Sequence, residues 1–374
     1  MNIVFVAGGT GGHINPALAI AGTLKRKYPD IKISFIGNRK GMEATLVPKA
    51  GYKFYPIDVA GFQRKISLNN IKRNAVAVYR MFKSTVQAEK ILEILKPDVV
   101  VGTGGYTCGP VLRKAAKMGI KTATHEQNAF PGVTTKTLCK YVDEVMVAMP
   151  DAIKRLPDNR TYTVTGNPVR QSIIDMTREE ARKALDLDNR PMILSLGGSL
   201  GARAVNEAIA DVLAWHANSK KYYHFHAIGK YGVDWMPDLI RSKGVEFDKL
   251  DNLRISEYIY DMDVCMAAAD LVINRAGAST ISELQVKGMP SILIPSPNVA
   301  ENHQYYNAKT LSDNGAAILI EEKDLTGEKL IEAIKSVIDD KEKLKQMGEN
   351  AKKTAVFDAN ERICDVIMNL YNKK

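Results

Sequence analysis

The chain has 374 residues, which is long for a single hydrophobic core, so we expect two domains. Hydrophobic residues make up 45% and charged residues 25% of the sequence, values that exclude a disordered or low-complexity protein. The formal net charge of +10 predicts an anionic partner, which could be nucleic acid, nucleotide phosphates or acidic lipid.

The cysteines and the N-terminal sequence bear on the cellular compartment. Four cysteines lie far apart and form no C-x-x-C pair, which argues against a disulfide framework or a zinc site and favours a reducing compartment. An apolar run follows Met1 directly without a signal-peptide pattern, and no apolar run approaches about 20 residues. We therefore expect a cytoplasmic protein that does not span a membrane.

The N-terminal half alternates strand and helix patterns. An apolar run at 2–7 leads into AGGTGGH (Ala7–His13), and apolar residues at helical spacing follow. We expect Asn15 to cap this first helix, with Pro16 in its first turn. A further helix is predicted at 43–50, and further strands at 32–36, 98–105 (ending in glycines), 121–125 and 144–148.

After the turn-rich TGNP (165–168), the pattern of strand, glycine loop and helix restarts at 191–202. The remaining elements are predicted as strands at 223–228, 271–274 and 291–294, helices at 205–215, 280–287 and 301–311, and two helices in the tail 328–374. Alternating strands and helices predict an α/β fold with two Rossmann-like, doubly wound parallel-sheet domains facing across a cleft. The expected domains are 1–165, with the C-terminal helix (about 354–374) packing back on it, and 166–353.

A basic segment lies between Val59 and Ala88, where the sequence has no acidic residue. Cations alternate there with apolar residues, a pattern typical of an element at a membrane surface. The alternative is a solvated helix whose apolar side belongs to the core.

Four glycine-rich loops follow predicted strands, at 8–12, 102–105, 197–201 and 276–278. Backbone amides in such loops, together with the start of the next helix, suit a diphosphate. The spacing G-x-G-x-x-G and the acidic residue that a dinucleotide site needs are missing, and so is a Walker loop, which disfavours NAD binding and nucleoside triphosphate hydrolysis. We therefore expect two diphosphate ligands and a transfer between them.

Six motifs, in order over about 1–311, closely resemble the MurG family of peptidoglycan N-acetylglucosaminyltransferases: AGGTGGHINPALAIA, GTGGYTCGPV, HEQN, GNPVR, GGSLGARAVN and NRAGASTISE. The resemblance implies the GT-B fold and an inverting, metal-independent transfer of GlcNAc from UDP-GlcNAc to the 4-hydroxyl of MurNAc in undecaprenyl-diphospho-MurNAc-pentapeptide (lipid I), giving lipid II. It implies no cofactor, since UDP-GlcNAc is a substrate. It also implies a peripheral location on the cytoplasmic face of the cell membrane. The implied partners are lipid I, an anionic membrane surface and other cell-wall synthesis proteins, without nucleic acid.

By this resemblance the second domain binds the donor. The implied donor-binding residues are Asn128, Arg170, Ser199, Ile259, Arg275, Ala278, Ser279, Thr280, Glu283, His303 and Gln304. Glu283 matches a ribose-binding glutamate, although Thr280-x-x-Glu283 could instead be a helix capping box. Leu200 and His303 depart from the family pattern, in which glutamine is common at both positions.

The first domain is then the acceptor-binding, membrane-associating domain. The implied acceptor-binding residues are Thr10, Gly11, Gly12, Gly104, Gly105 and Tyr106. Inversion in one displacement needs a general base, for which His13 is our first choice and Glu126 the competitor. The alternative for His13 is a histidine that only fixes its loop, and the alternative for His125 is a buried residue at a strand end.

Three other functions compete with this one. A GT-B transferase acting on diacylglycerol would share the donor domain, so GGTGGH and HEQN in the first domain are the discriminating motifs. A sugar-nucleotide epimerase needs carboxylates around the donor sugar, and the sequence offers no convincing set. A nucleic-acid-binding protein would explain the charge but leaves the glycine loops without a role.

Overall fold

The structure, a computed structural model, describes residues 1–59, 68–198, 200–299 and 302–373, and for 68–79 and 82 it describes the backbone alone. The chain divides into two compact units, Met1–Arg170 with Phe357–Lys374 (unit 1) and Gln171–Val356 (unit 2). This division falls a few residues after the boundaries expected at 165 and 354. One reason is Asn360, whose side chain bonds both backbone groups of Val169 and so ties both residues to unit 1.

The described strands are short, as is usual for parallel sheets. They are β1 (Asn2–Val6), β2 (Lys32–Asn38), β3 (Lys53–Ile57), β4 (Val99–Gly102), β5 (Lys121–Glu126), β6 (Glu144–Val147), β7 (Thr163–Val164), β8 (Met192–Leu196), β9 (Tyr223–Ala227), β10 (Leu253–Ser256), β11 (Leu271–Asn274), β12 (Ser291–Leu293) and β13 (Ala317–Leu319).

Helices connect most of these strands. They are α1 (Gly11–Lys27), α2 (Glu43–Lys49), α3 (Leu68–Leu95), α4 (Cys108–Lys117), α5 (Val133–Leu138), α6 (Gln171–Asp175), α7 (Arg178–Ala184), α8 (Arg203–His216), α9 (Met236–Ser242), α10 (Met262–Ala268), α11 (Ala278–Lys287), α12 (His303–Asp313), α13 (Gly327–Lys335), α14 (Lys341–Lys353) and α15 (Ala359–Asn372).

In unit 1 the strands form one sheet in the order β3-β2-β1-β4-β5-β6-β7, and every pair is parallel. Side chains alternate between its two faces, as the pleat requires. Ile3 and Phe5 belong to the core on one side, with α1 and α15, whereas Val4 and Val6 belong to the core on the other side, with α3 and α4. Both faces of the sheet are therefore covered by helices.

In unit 2 the sheet order is β10-β9-β8-β11-β12-β13, again parallel throughout. A core cluster of this unit includes Ile193, Leu271, Ile273 and side chains of α8 and α13. The prediction of two Rossmann-like, doubly wound parallel sheets is confirmed.

Two details of the predicted helices are wrong. The first helix begins at Gly11 after an extended Thr10, so Asn15 does not cap it and Pro16 lies inside it. Two glycines in succession predict a loop, but here they form the first turn, which leaves His13 on the helix. The tail has three helices instead of two, because Asp340 accepts a hydrogen bond from the Lys343 N–H and starts α14 anew.

Along the described residues, no helix is both long enough and apolar enough to cross a bilayer. The basic segment at 59–88 falls largely on residues whose side chains lie outside the described set, although the backbone from Leu68 onward is helical. The structure therefore does not test its proposed contact with a membrane. All four cysteines are buried and free.

Candidate functional site

Each sheet has one point where the strand order reverses, between β1 and β4 in unit 1 and between β8 and β11 in unit 2. Ligands of open parallel sheets bind beyond the carboxyl ends of the strands at such a point. All four glycine-rich loops follow these strands. The two units therefore each carry a candidate site.

In unit 1 the loops after β1 and β4 touch backbone to backbone. Gly105 has a φ of +85°, and a Cβ on it would lie 2.1 Å from the carbonyl oxygen of Gly8. Any side chain there would force the loops apart. The two predicted acceptor-binding loops are thus one continuous surface.

His13 lies in the first turn of α1, against the second of these loops. A Cβ on Gly104, which has a φ of +107°, would lie 2.5 Å from the His13 Nδ1. The Thr103 hydroxyl donates to the His13 carbonyl oxygen at 2.8 Å. The His13 Nδ1 also lies 3.3 Å from Oε1 of Gln127, the residue after β5. The imidazole is therefore held at the ends of three neighbouring strands.

Glu126 is 3% exposed, and both of its carboxylate oxygens accept hydrogen bonds. Oε1 accepts from the backbone and side-chain amides of Asn128, at 3.1 and 3.2 Å. Oε2 accepts from the Gly132 N–H at 3.0 Å and from the Thr135 hydroxyl at 2.6 Å. This carboxylate thus fixes the loop between β5 and α5 and orients Asn128.

The glycine-rich loop at 8–12, where a diphosphate is expected to bind, is already in contact with a carboxylate of unit 1. Glu43, 1% exposed, accepts hydrogen bonds from the Gly9 N–H at 3.4 Å and the Asn38 N–H at 2.8 Å. The Asn38 side chain donates to the Tyr106 hydroxyl at 2.8 Å. The Gly9 N–H therefore already has an acceptor within unit 1.

His125 is buried within the strand end, in keeping with the structural alternative for it. Its Nε2 lies 3.0 Å from the Gly166 carbonyl oxygen, and burial lowers its pKa to about 4. The ring is therefore neutral at physiological pH. Sequence reasoning gave no role to its neighbour Gln127 or to Glu43 beside Gly9. Only membership of HEQN could have drawn attention to Gln127.

In unit 2 the glycine-rich loop after β8 touches the loop after β9. Gly201 and Gly229 have φ values of +82° and +71°, and a Cβ on Gly229 would lie 2.0 Å from the Gly201 nitrogen. Leu200 is 41% exposed beside this contact. Ser199, predicted to face the donor diphosphate, lies outside the described residues.

The second loop of unit 2 leads into α11. The helix begins at Ala278 after an extended Gly277, which puts Ala278, Ser279 and Thr280 in its first turn. Thr280 is therefore not the N-cap, and the capping-box alternative for Thr280 and Glu283 is wrong. Glu283 lies in the next turn and is 8% exposed. Its binding to ribose stays a prediction.

Arg275, just before this turn, uses its side chain within the protein. The guanidinium donates to the carbonyl oxygens of Ile294 and Pro295 at 3.1 and 3.2 Å and pairs with Glu322. These contacts tie the loop after β11 to the loop after β12. In this conformation Arg275 supports the site and leaves ligand contacts to the backbone.

The remaining predicted donor residues also lie near strand ends, except Arg170. Ile259 is buried after β10, between Tyr258 and Tyr260, whose rings meet edge to face at 4.9 Å. Gln304 accepts from the Ser296 N–H at 2.9 Å, and His303 begins α12. Arg170 is the last residue of the first part of unit 1, so it lies outside unit 2, although the expected second domain, 166–353, included it.

No group of three or more histidine, cysteine, aspartate or glutamate side chains suited to a metal ion occurs among the residues that the structure describes.

Comparison with known proteins matches both halves of the chain. The N-terminal domain of glycosyltransferase family 28 matches residues 3–147, and the C-terminal domain of the same family matches residues 192–363.

Two curated relatives are each named UDP-N-acetylglucosamine--N-acetylmuramyl-(pentapeptide) pyrophosphoryl-undecaprenol N-acetylglucosamine transferase. The relative from Acetivibrio thermocellus is 44% identical over 100% of this chain and 99% of its own length. The relative from Desulforamulus reducens is 43% identical over 94% of each.

The crystal structure of MurG from Acinetobacter baumannii is 30% identical and superposes with a TM-score of 0.69, covering 98% of this chain and 99% of its own. The matches to these relatives extend over both units and include the strand ends described above. The chain therefore belongs to glycosyltransferase family 28 and, within it, to the MurG family of N-acetylglucosamine transferases.

Proposed function

We propose that this protein transfers GlcNAc from UDP-GlcNAc to the 4-hydroxyl of MurNAc in lipid I, with inversion at the anomeric carbon, giving lipid II for peptidoglycan synthesis. The observation that carries this mechanism is the placement of His13, held against Gly104 beside the paired glycine loops of unit 1.

The donor binds to unit 2 at the start of α11. Backbone amides in the first turn of a helix and the positive end of its dipole stabilise a diphosphate. This helix begins at Ala278, and Ser279 and Thr280 lie in the same turn. Glu283 accepts hydrogen bonds from the ribose hydroxyls, and the backbone at Ile259 meets the uracil edge.

The acceptor binds to unit 1 at the start of α1. Thr10, Gly11 and Gly12 lie at the beginning of this 17-residue helix. Gly104 and Gly105 bring the neighbouring loop into contact with it. Together with Tyr106, these residues surround the lipid-linked diphosphate.

His13 acts as the general base. Its imidazole accepts the proton of the acceptor hydroxyl while that oxygen forms a bond to the anomeric carbon, and the bond from this carbon to UDP breaks with its electron pair passing to the diphosphate. The contacts favour His13 over Glu126 for this role, since both Glu126 oxygens already accept hydrogen bonds from the protein. Glu126 is then a positioning residue for Asn128.

The reaction needs no metal ion in this proposal. The negative charge that develops on UDP is stabilised by helix α11 and the amides that precede it. Such fixed dipoles need no rearrangement during the reaction, so they can replace the cation that other sugar-nucleotide enzymes use.

Docking to an anionic membrane surface on its cytoplasmic face completes the proposal, because lipid I is anchored in the bilayer. The segment from Val59 to Ala88 supplies cations and no acidic residue. Each cation near an anionic surface contributes about 1 kcal/mol. Other cell-wall synthesis proteins are further proposed partners, and nucleic acid is not.

The test is transfer of labelled GlcNAc from UDP-GlcNAc to a short-chain lipid I analogue, with excess EDTA and with diacylglycerol as a parallel acceptor. We expect product on the lipid I analogue alone, undiminished by EDTA. Transfer to diacylglycerol instead would overturn the acceptor assignment, and inhibition by EDTA would overturn metal independence.

In the same assay, His13→Ala should lower kcat by about 10²- to 10⁴-fold with little change in thermal stability. Glu126→Gln should mainly lower the unfolding temperature, because it weakens the bonds that fix the loop after β5. Full activity in His13→Ala would rule out His13 as the base.

A further inference from the structure

We propose that Gln127 is a positioning residue that fixes the tautomer of His13, so that the ring proton lies on Nδ1 and the lone pair on Nε2. This inference rests on the proposed role of His13 as the base. It concerns a residue that does not itself touch the reacting atoms.

The orientation of the Gln127 amide follows from its neighbours. Its Nε2 lies 2.9 Å from the Thr103 carbonyl oxygen and 3.1 Å from the His125 carbonyl oxygen. Carbonyl oxygens only accept hydrogen bonds, so the group that faces them must be the NH₂ group. Turning the amide over would bring three oxygens together. Oε1 therefore faces His13.

His125 imposes the same orientation from the other side. Its Nε2 faces the carbonyl oxygen of Gly166 at 3.0 Å, so this nitrogen carries the ring proton. Because burial keeps the ring neutral, the remaining nitrogen, Nδ1, is an acceptor. Nδ1 lies 3.0 Å from the Gln127 Nε2, so it shares one of the two amide hydrogens with the His125 carbonyl oxygen, while the other hydrogen is donated to the Thr103 carbonyl oxygen. Two independent neighbours thus require the same amide orientation.

The consequence for His13 follows directly. The Gln127 Oε1 can only accept a hydrogen bond, and it lies 3.3 Å from the His13 Nδ1. A proton must therefore lie on Nδ1, which in a neutral imidazole leaves the lone pair on Nε2. The order of donation is His13 Nδ1–H to Gln127, Gln127 N–H to His125, and His125 Nε2–H to Gly166.

Gln127 is well placed to hold this arrangement. It is 2% exposed, and Thr103 and His125 are buried as well. When Nε2 of His13 takes the acceptor proton, Nδ1–H continues to donate to the Gln127 oxygen. No proton moves onto Gln127, which stays neutral throughout. Its contribution is to keep one nitrogen of the base ready for the substrate.

The first experiment measures the tautomer in the unaltered protein and uses one variant only to identify the His13 signals. The protein is labelled with ¹⁵N at its six histidines, and the tautomer of His13 is measured by long-range ¹H–¹⁵N correlation at about pH 8, where an ordinary imidazole is neutral. The His13→Gln spectrum identifies the His13 signals by their loss. We expect Nε2 of His13 to be the unprotonated nitrogen. A protonated Nε2 in the neutral ring would overturn the proposal.

The second experiment compares Gln127→Met with Gln346→Met. Gln346 is an exposed glutamine of α14 in unit 2 whose side-chain amide donates to Asn350, so it controls for the chemical change alone. Gln127→Met should populate both His13 tautomers and lower kcat about 10- to 100-fold with the KM for UDP-GlcNAc unchanged. Gln346→Met should leave the tautomer and kcat as they are.

The outcomes separate the two proposals. If His13→Gln keeps full activity, the base assignment fails while the tautomer measurement still stands on its own. If His13 is essential but Gln127→Met keeps both the Nδ1–H tautomer and kcat, the role of Gln127 fails and the proposed function remains.

Discussion

Gly104 determines whether the His13 ring can occupy its place. Its φ is +107°, a value that residues with a Cβ rarely adopt. A Cβ there would lie 2.5 Å from the His13 Nδ1 and 2.8 Å from its Cε1. The imidazole occupies the space that the missing side chain leaves. The absence of a side chain at Gly104 therefore leaves room for the His13 ring of α1 and also permits the conformation of its own loop.

We predict that Gly104→Ala lowers kcat for transfer to the lipid I analogue at least 10-fold, because the methyl group displaces the imidazole from the bond to Gln127. The backbone strain at this φ should also cost about 1 to 3 kcal/mol of unfolding free energy. Steady-state kinetics and urea denaturation measure the two effects separately.

Gly119→Ala is the matched control. Gly119 has a φ of +75°, but a Cβ on it would have no neighbour within 4 Å. Gly119→Ala should therefore lower the free energy of unfolding without lowering kcat. Equal activity in the two variants would show that the His13 ring tolerates displacement.

At the scale of elements, α15 belongs to unit 1 although it follows unit 2 in the sequence. Ile363, Ile367 and Leu370 join the core that α1 forms with the sheet. Asn360, 4% exposed, accepts from the Val169 N–H at 3.0 Å and donates to the Val169 carbonyl oxygen at 2.7 Å and the Thr23 hydroxyl at 3.1 Å. One side chain thus joins α15, α1 and the end of the first chain segment.

Asn360→Ala should destabilise unit 1 by about 2 to 4 kcal/mol, because it leaves a buried backbone N–H and C=O without their partner. Hydrogen exchange of β1 and β4 amides, measured against that of β8 and β11, would localise the loss to unit 1. Asn369→Ala, at an exposed position of the same helix, is the control and should change little. Equal protection of β1 in both variants would contradict the prediction.

In the whole molecule, buried histidines are distributed unequally between the units. Unit 2 contains a chain in which His216 bonds His224 at 2.9 Å, and the Ser195 hydroxyl bonds His224 at 2.7 Å and His226 at 2.8 Å. Burial lowers the pKa of His216 and of His226 to about 4 and that of His224 well below its usual value. His125 is the comparable residue of unit 1.

Acidification should therefore destabilise unit 2 more steeply than unit 1. These histidines stay neutral when folded but take up protons when unfolded, so their stabilisation is complete above about pH 6.5 and is lost as the pH falls towards about 4. Each contributes about 1.4 kcal/mol per pH unit within that window. Urea unfolding at several pH values measures this slope.

Fluorescence is a convenient probe, because both tryptophans, Trp215 and Trp235, lie in unit 2. His226→Gln should reduce the dependence of the unfolding free energy on pH by the contribution of one histidine, about 1.4 kcal/mol per pH unit. A fluorescence-detected unfolding free energy that is constant between pH 7 and pH 5 would show that the histidine chain accepts protons without cost.

The sequence predicted much of the fold because the signals are local. The short apolar run before Asn274 predicted the observed bounds of β11, Leu271–Asn274, and the restart of the pattern in the second half indicated a second sheet. Local signals failed at the first turn of α1, where Gly11 and Gly12 predict a loop by propensity but are helical.

The candidate site, too, could be predicted only in part from the sequence. The sequence by itself determined the glycine loops, the strand ends that carry them, and His13 and Glu126 as the two candidates for the base, since these depend on residue type and short spacing. Only the tertiary structure decided three hydrogen-bonding relations. Glu43 accepts from the Gly9 N–H, the Glu126 oxygens accept from groups of the protein, and the Gln127 Oε1 faces the His13 Nδ1. The physical reason is that hydrogen-bond direction, and with it the tautomer of a histidine, depends on which donors and acceptors the sheet brings together from distant parts of the chain.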